Sequence, residues 1–243
     1  MTVRVGRLGV VLGLGLAATT GAWAQESAAD RADLAVPMAT ARRTSAAVPV
    51  APPPLPEGAD RIPPLTLRTV VRKPAGGRVH EVRQTITRSA ERMHVATTSG
   101  AEWLFERNPR DPRRVDGRYV DHGARTIVYY SDSDLRNVLG VDGWARLLTL
   151  GFDQRSLGDM TPTGTARTMA GLRFVRHAGR DGVVWWNPEA LLPIEMSNHV
   201  SGGEARLVVE TVSATIDAAR LRAPSQRFPG YRQVELAEWL EAH

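Results

Sequence analysis

The sequence contains no cysteine. It therefore forms no disulfide, offers no thiol nucleophile or thiolate metal ligand, and has no cysteine to carry a lipid anchor. Its fold must be held by the core alone. Lysine is almost absent: Lys73 is the single one, and the remaining basic charge is arginine. Those arginines are scattered among acidic residues, and the net charge is only +5. That pattern reads as a solvated surface rather than a nucleic-acid face. Beyond the first 24 residues, no apolar run approaches the roughly 20 residues that a membrane-spanning helix needs. There is no G-x-S-x-G nucleophile elbow and no H-E-x-x-H or C-x-x-C site. No internal repeat is present.

What is there begins with a targeting pattern. In MTVRVGRLGVVLGLGLAATTGAWAQ, Arg4 and Arg7 form a positive head, and residues 10–18 form a short apolar core. Ala22-Trp23-Ala24 is an A-x-A cleavage site before Gln25. Residues 1–24 are read as a signal peptide cleaved after Ala24, and the destination as the periplasm. Residues 25–64 include VPVAPPPLPEGADRIPP, rich in proline and alanine and poor in aromatics. This composition predicts an extended, disordered linker. The folded domain is expected over residues 65–243.

From Leu65 onward the pattern is that of strands. LTLRTVVRK comes first, then GRVHEVRQTIT, in which Val82 and Ile86 share one face. ERMHVATT, AEWLFERN, RYVDH and RTIVYYS follow, separated by turn-rich segments such as NPRDPRRVDG. Short sequential strands of this kind form an antiparallel meander. One helical interruption follows. Ser131 and Asp132 start a first helix, and Asp142 is placed to cap a second carrying Trp144, Leu147 and Leu148. Both are too short to be stable alone, so they must pack on the sheet. Strands then resume in TARTMAGLRFVRH, DGVVWWNPEALLPIEMSNHV and EARLVVETVSATID, and YRQVELAEWLEAH closes with a short helix. The expected fold is mainly β: nine to eleven strands in a strongly curved antiparallel sheet, an incomplete barrel plugged by helices.

The stretch VVWWNPEALLPIEM places Trp185 beside Trp186. Neighbouring side chains on a strand point to opposite faces. One ring is therefore expected on the concave lining and the other outside, under the terminal tail. Both rings as plain core is the alternative.

Six histidines are dispersed. His80, His94 and His122 fall on successive strands and could converge on a metal, but half-buried or surface histidines are the simpler reading. Asp132-Ser133-Asp134 resembles the start of a calcium loop, but the later glycine and glutamate positions fail and a helix cap explains it. Gly76-Gly77 and Gly202-Gly203 read as turns. No catalytic residue, metal ligand or cofactor is expected.

The order of parts, with TPTGTARTMAGLRFVR at residues 161–176, the segment VWWNPEALLP and a final FPGYRQV, resembles the superfamily of the periplasmic lipoprotein carrier LolA, which includes the outer-membrane lipoprotein receptor and the sensor RseB. Gly171-Leu172-Arg173-Phe174 and the span from Trp186 to Pro193 carry the likeness, which covers roughly residues 65–235. The resemblance implies an eleven-stranded incomplete barrel, a helical lid, and a hydrophobic cavity for acyl chains. The long linker and the arginine-rich strands depart from the carrier, and no ligand-handling arginine is matched. The expectation is a non-enzymatic exported binding protein for a lipid or acylated ligand. Its candidate cavity lining is Trp103, Phe105, Val128, Tyr130, Leu147, Leu148, Phe174 and Trp186. The alternative is an envelope interaction module with a filled core that docks a partner protein.

Overall fold

A computed structural model describes residues 52–242, except 76, 77, 181, 201 and 202. The signal-peptide reading and the first part of the expected linker lie outside the described residues. Residues 52–64 lie inside them and pack onto the domain: Ala59 and Ile62 are buried in the core.

Among the described residues, twelve strands form one curved sheet that does not close. They are β1 (Leu65–Ala75), β2 (Arg78–Arg88), β3 (Arg92–Thr97), β4 (Glu102–Arg107), β5 (Val115–Asp121) and β6 (Thr126–Tyr130). After the helices come β7 (Thr161–Met169), β8 (Leu172–Ala178), β9 (Gly182–Asn187), β10 (Leu192–Val200), β11 (Gly203–Ser213) and β12 (Arg232–Glu235). Their order across the sheet is β12-β6-β5-β4-β3-β2-β1-β11-β10-β9-β8-β7. The expected antiparallel meander is present twice, joined where β1 pairs with β11. Twelve is one more strand than the upper end of the expected range, and two strands account for the surplus over the segments read from the sequence. Residues 161–178 are a hairpin rather than one strand, because Ala170 and Gly171 both take positive φ, 50° and 79°, and reverse the chain in two residues. The tail contributes β12, which pairs with β6 in parallel. Pro193 is tolerated inside β10 because the register slips beside it, between Pro193 and Glu195.

This order places β6 and β7 near opposite ends of the sheet. The chain between them must cross the sheet, and it does so as α1 (Asp132–Leu139), α2 (Gly143–Leu148) and a 3-10 turn (Gln154–Asp159). Ser131 and Asp134 form a reciprocal capping box on α1, and Gly140 ends it in the left-handed conformation. Asp132 accepts from the Val115 backbone and pairs with Arg136, so the Asp-Ser-Asp run is cap and brace, as its helix-cap reading expects. Asp142 precedes α2 but makes no side-chain cap; its carboxylate lies 3.4 Å from Arg136 instead.

Two glycines let the helices approach. A Cβ on Gly117 of β5 would lie 2.8 Å from Leu135 of α1. Gly143 opens α2 with φ +79°, and a Cβ there would lie 2.6 Å from the Arg113 carbonyl. Leu135, Trp144, Leu147 and Leu148 are thereby pressed into one cluster with Trp103, Phe105, Val128 and Trp186. Trp103 anchors it, stacked on Phe105 at 5.6 Å and flanked by Tyr119 at 4.9 Å and Tyr130 at 5.0 Å.

The opposite face of β3–β6 is covered by the C-terminal segment, which runs through a 3-10 turn (Ala218–Leu221), α3 (Pro224–Arg227), β12 and α4 (Leu236–Glu241). Leu104, Val120 and Ile127 are buried on this second face.

Candidate functional site

All eight residues expected to line the concave face meet in one buried cluster, each no more than 3% exposed. Trp103 and Phe105 come from β4, Val128 and Tyr130 from β6, and Leu147 and Leu148 from α2. Phe174 comes from β8 and Trp186 from β9. Alternation separates the two adjacent tryptophans as expected. Trp186 is 3% exposed and lies 5.5 Å from Phe152, just beyond α2. Trp185 is half-buried on the other face, with the Arg167 guanidinium 4.3 Å above its ring. Arg167 continues to Glu195, which also holds Arg206. The terminal tail does not cover Trp185: its strand pairs with β6, at the end of the sheet opposite to β7.

Arg88, at the end of β2, is the feature that sequence reading missed. It is fully buried, and its guanidinium donates to the carbonyls of Leu148 and Ala190, and to that of Leu191 at 3.4 Å. Leu148 ends α2; Ala190 and Leu191 form the β9–β10 turn. That turn is set by Asn187, whose side chain accepts from Ala190 N at 2.6 Å and donates to Arg173 O at 2.8 Å. Burial pushes the guanidinium pKa down to about 9. A buried cation held only by carbonyl dipoles is expensive and needs a reason. Here it ties the helical segment to the sheet. A signal existed: Arg88 follows Ile86 by two residues, so alternation places it on the inward face.

Beside α2 is a cleft of about 360 Å³. Its outer wall is the proline segment from Pro53 to Pro56, its inner wall Ala145, Arg146 and Thr149, and its end residues 152–155. Phe152 therefore faces this cleft and also packs on Trp186, joining it to the buried cluster.

The three strand histidines do not converge. His80 is exposed on β2. His94 and His122 both reach Glu102, at 3.0 and 3.1 Å, on the sheet face opposite the main cluster. Arg227 of α3 also bonds Glu102, and His122 lies 3.2 Å from the Tyr231 hydroxyl. Burial alone would raise the Glu102 pKa; hydrogen bonds from His94 and the charge of Arg227 outweigh it and hold the carboxyl at about 2. This network fastens the C-terminal segment to β3–β5. Among the described residues no group of three His, Cys, Asp or Glu side chains is arranged to hold a metal. No helix among them is long and apolar enough to cross a membrane.

No family model matches the sequence, and no curated protein matches it. Among solved structures, it is similar to a LolA superfamily protein from Nitrosomonas europaea, at 11% identity and TM-score 0.32, over 69% of this chain and 96% of that one. It is also similar to LprF from Mycobacterium bovis, at 14% identity and TM-score 0.33, over 68% and 91%. A third is PNGF-II, at 10% identity and TM-score 0.38, over 74% of this chain but only 32% of that one. The strand order itself defines the class of protein: a mainly β, incomplete barrel filled by helices. A mainly β, incomplete barrel with inserted helices is the architecture expected from the sequence. The reading of the site rests on this chain's own residues.

Proposed function

We propose that this chain is an exported periplasmic binding protein that takes a hydrophobic or acylated ligand between the concave sheet face and its helices. The observation that carries the proposal is the way the helical segment is attached. An apolar cluster of strand and helix side chains is closed by α2, and the closure is latched by the buried Arg88 on backbone carbonyls, with the Trp144 indole on Ala90 O and the Trp144 amide on Arg113 O as further ties.

Such a latch is cheap to release relative to what it guards. Hydrogen bonds from a charged donor contribute about 1.5–3 kcal/mol each, and a freed guanidinium regains hydration. An entering alkyl chain gains about 0.8 kcal/mol per buried methylene. About ten methylenes then supply roughly 8 kcal/mol, enough to offset release of α2 and exposure of part of its face. Nothing in this cycle requires a general acid, a nucleophile or a metal. The chain's own task is to exclude water, shape the apolar wall and release the helices as a unit.

Native mass spectrometry of residues 25–243, purified from a periplasmic extract without detergent, tests the proposal. The expected result is an added mass that organic solvent releases as a lipid. A bare chain that takes up no added lipid refutes it. The rival reading, a filled module docking an envelope protein, draws on the near-complete burial of the eight lining residues. It offers the exposed edge strand β7 as the docking element.

A further inference from the structure

We infer that the cleft between the proline segment and α2 is a separate binding site, for a single alkyl chain bearing an anionic head. The inference rests on the binding-protein reading and goes beyond it, because the cleft lies outside the buried cluster. Its volume, about 360 Å³, is near the lower end of small-molecule pockets. That suits one chain rather than a multi-chain lipid.

Apart from Arg146, the walls are apolar by composition and by use. Three of the four residues from Pro53 to Pro56 are prolines, with no N–H to offer, and the fourth is Leu55. On the opposite wall the Thr149 hydroxyl is spent on backbone oxygens, lying 2.6 Å from Phe152 O and 3.0 Å from Ala145 O. Phe152 adds its ring at the end. A chain lying there exchanges water for carbon on both sides.

The rim is charged, and with one sign in excess. Asp153 is the single carboxylate of the lining, against two guanidiniums. Arg146 bonds it at 3.1 Å and also donates to Gly151 O. Asp153 is further occupied by the Arg155 backbone N–H. The Arg155 guanidinium is 73% exposed and reaches Asp153 only at 3.8 Å. It is the group available to a carboxylate or phosphate head at the mouth. Phe152 then links occupancy of the cleft to the buried cluster through Trp186.

Calorimetric titration of residues 25–243 with dodecanoate and with dodecyltrimethylammonium, both below their micellar concentrations, tests the site. Dodecanoate is expected to bind one to one. Arg155→Glu should weaken dodecanoate about fivefold and strengthen dodecyltrimethylammonium by a similar factor, as expected for a partly exposed charge pair. Leu55→Asp should weaken both by about tenfold or more, by placing a charge against the chain. Arg155 is exposed, so its variant folds whatever becomes of Leu55→Asp. If dodecanoate binds but neither variant changes its affinity, while Trp186→Phe does, the ligand sits in the concave cluster. The cleft inference then fails and the proposed function stands. If the wild-type chain binds neither probe, both fail.

Discussion

Replacing Arg88 by methionine separates a latch from a keystone. Methionine keeps most of the side-chain length and removes the charge. Two opposing terms follow. The folded-state pKa of about 9, well below the ordinary guanidinium value, makes the buried cation unfavourable by on the order of 5 kcal/mol relative to the neutral form. That penalty disappears in the variant. Against it, the carbonyls of Leu148, Ala190 and Leu191 lose charged donors worth about 1.5–3 kcal/mol each. The terms oppose each other, about 5 kcal/mol gained against about 4.5–9 kcal/mol lost, so global stability in urea should fall by no more than about 4 kcal/mol. Local stability should not be spared. The carbonyl of Leu148 is among those a helix end leaves without an intrahelical partner, and without Arg88 the segment 143–152 is joined to the β9–β10 turn by packing alone. Its amides should exchange about 10- to 100-fold faster, with peptides of β3–β5 unchanged. Hydrogen exchange with mass spectrometry reads both regions in one experiment. A uniform loss exceeding about 4 kcal/mol, or unchanged exchange in α2, refutes the latch. The pH dependence has a defined sign. Burial lowers the Arg88 pKa, so the unfolded chain holds this proton to higher pH than the folded state, and the group's contribution to stability rises as pH climbs above about 9. Arg88→Met should lack that rise.

Three further outcomes are expected. Gly143→Ala should cost about 3 kcal/mol in urea unfolding, since a left-handed backbone and a backbone oxygen 2.6 Å away both oppose a Cβ. Glu102 contributes stability that is full above its unfolded pKa near 4.5 and lost as pH falls through about 2, an effect of about 2 kcal/mol after allowance for solvent screening. Glu102→Gln should flatten the stability profile across that interval, and an unaltered profile would sever the network from the fold. Trp186→Ala should cost about 3–5 kcal/mol as a core truncation. Trp185→Ala, which removes a half-buried ring and its stack with Arg167, should cost about 1 kcal/mol; equal losses in thermal unfolding would contradict the two-face assignment.

Much of the fold was legible because strand alternation and helix caps are local. Met93 and Val95 of β3 and Trp103 and Phe105 of β4 announce the inward face by their period of two. Ser131 and Asp132 announce the start of α1 by residue type. The same alternation and helical spacing bring the eight candidate residues into one buried cluster. The parallel strand β12 was not legible, because four residues with one buried apolar position, Val234, carry no periodic signal. Arg88 was passed over because an arginine at an inward position conflicts with the burial rule on which the reading relied. His94, Glu102, His122 and Arg227 lie far apart in sequence, and only strand register and the returning C-terminal segment bring them together.

The sequence by itself determined which residues alternate, where helices start, that no thiol chemistry occurs, and that one of two adjacent tryptophans faces inward. These follow from backbone geometry and residue chemistry within a few positions of each site. Only the tertiary structure decided which strands become neighbours, that the chain between β6 and β7 must cross the sheet, and which carbonyls Arg88 meets. It alone placed the proline segment as one wall of a cleft. Those outcomes depend on contacts between residues far apart in sequence, 60 positions between Arg88 and Leu148 and 102 between Arg88 and Ala190. Side-chain volume and backbone hydrogen bonding select such contacts jointly, and no local pattern encodes them.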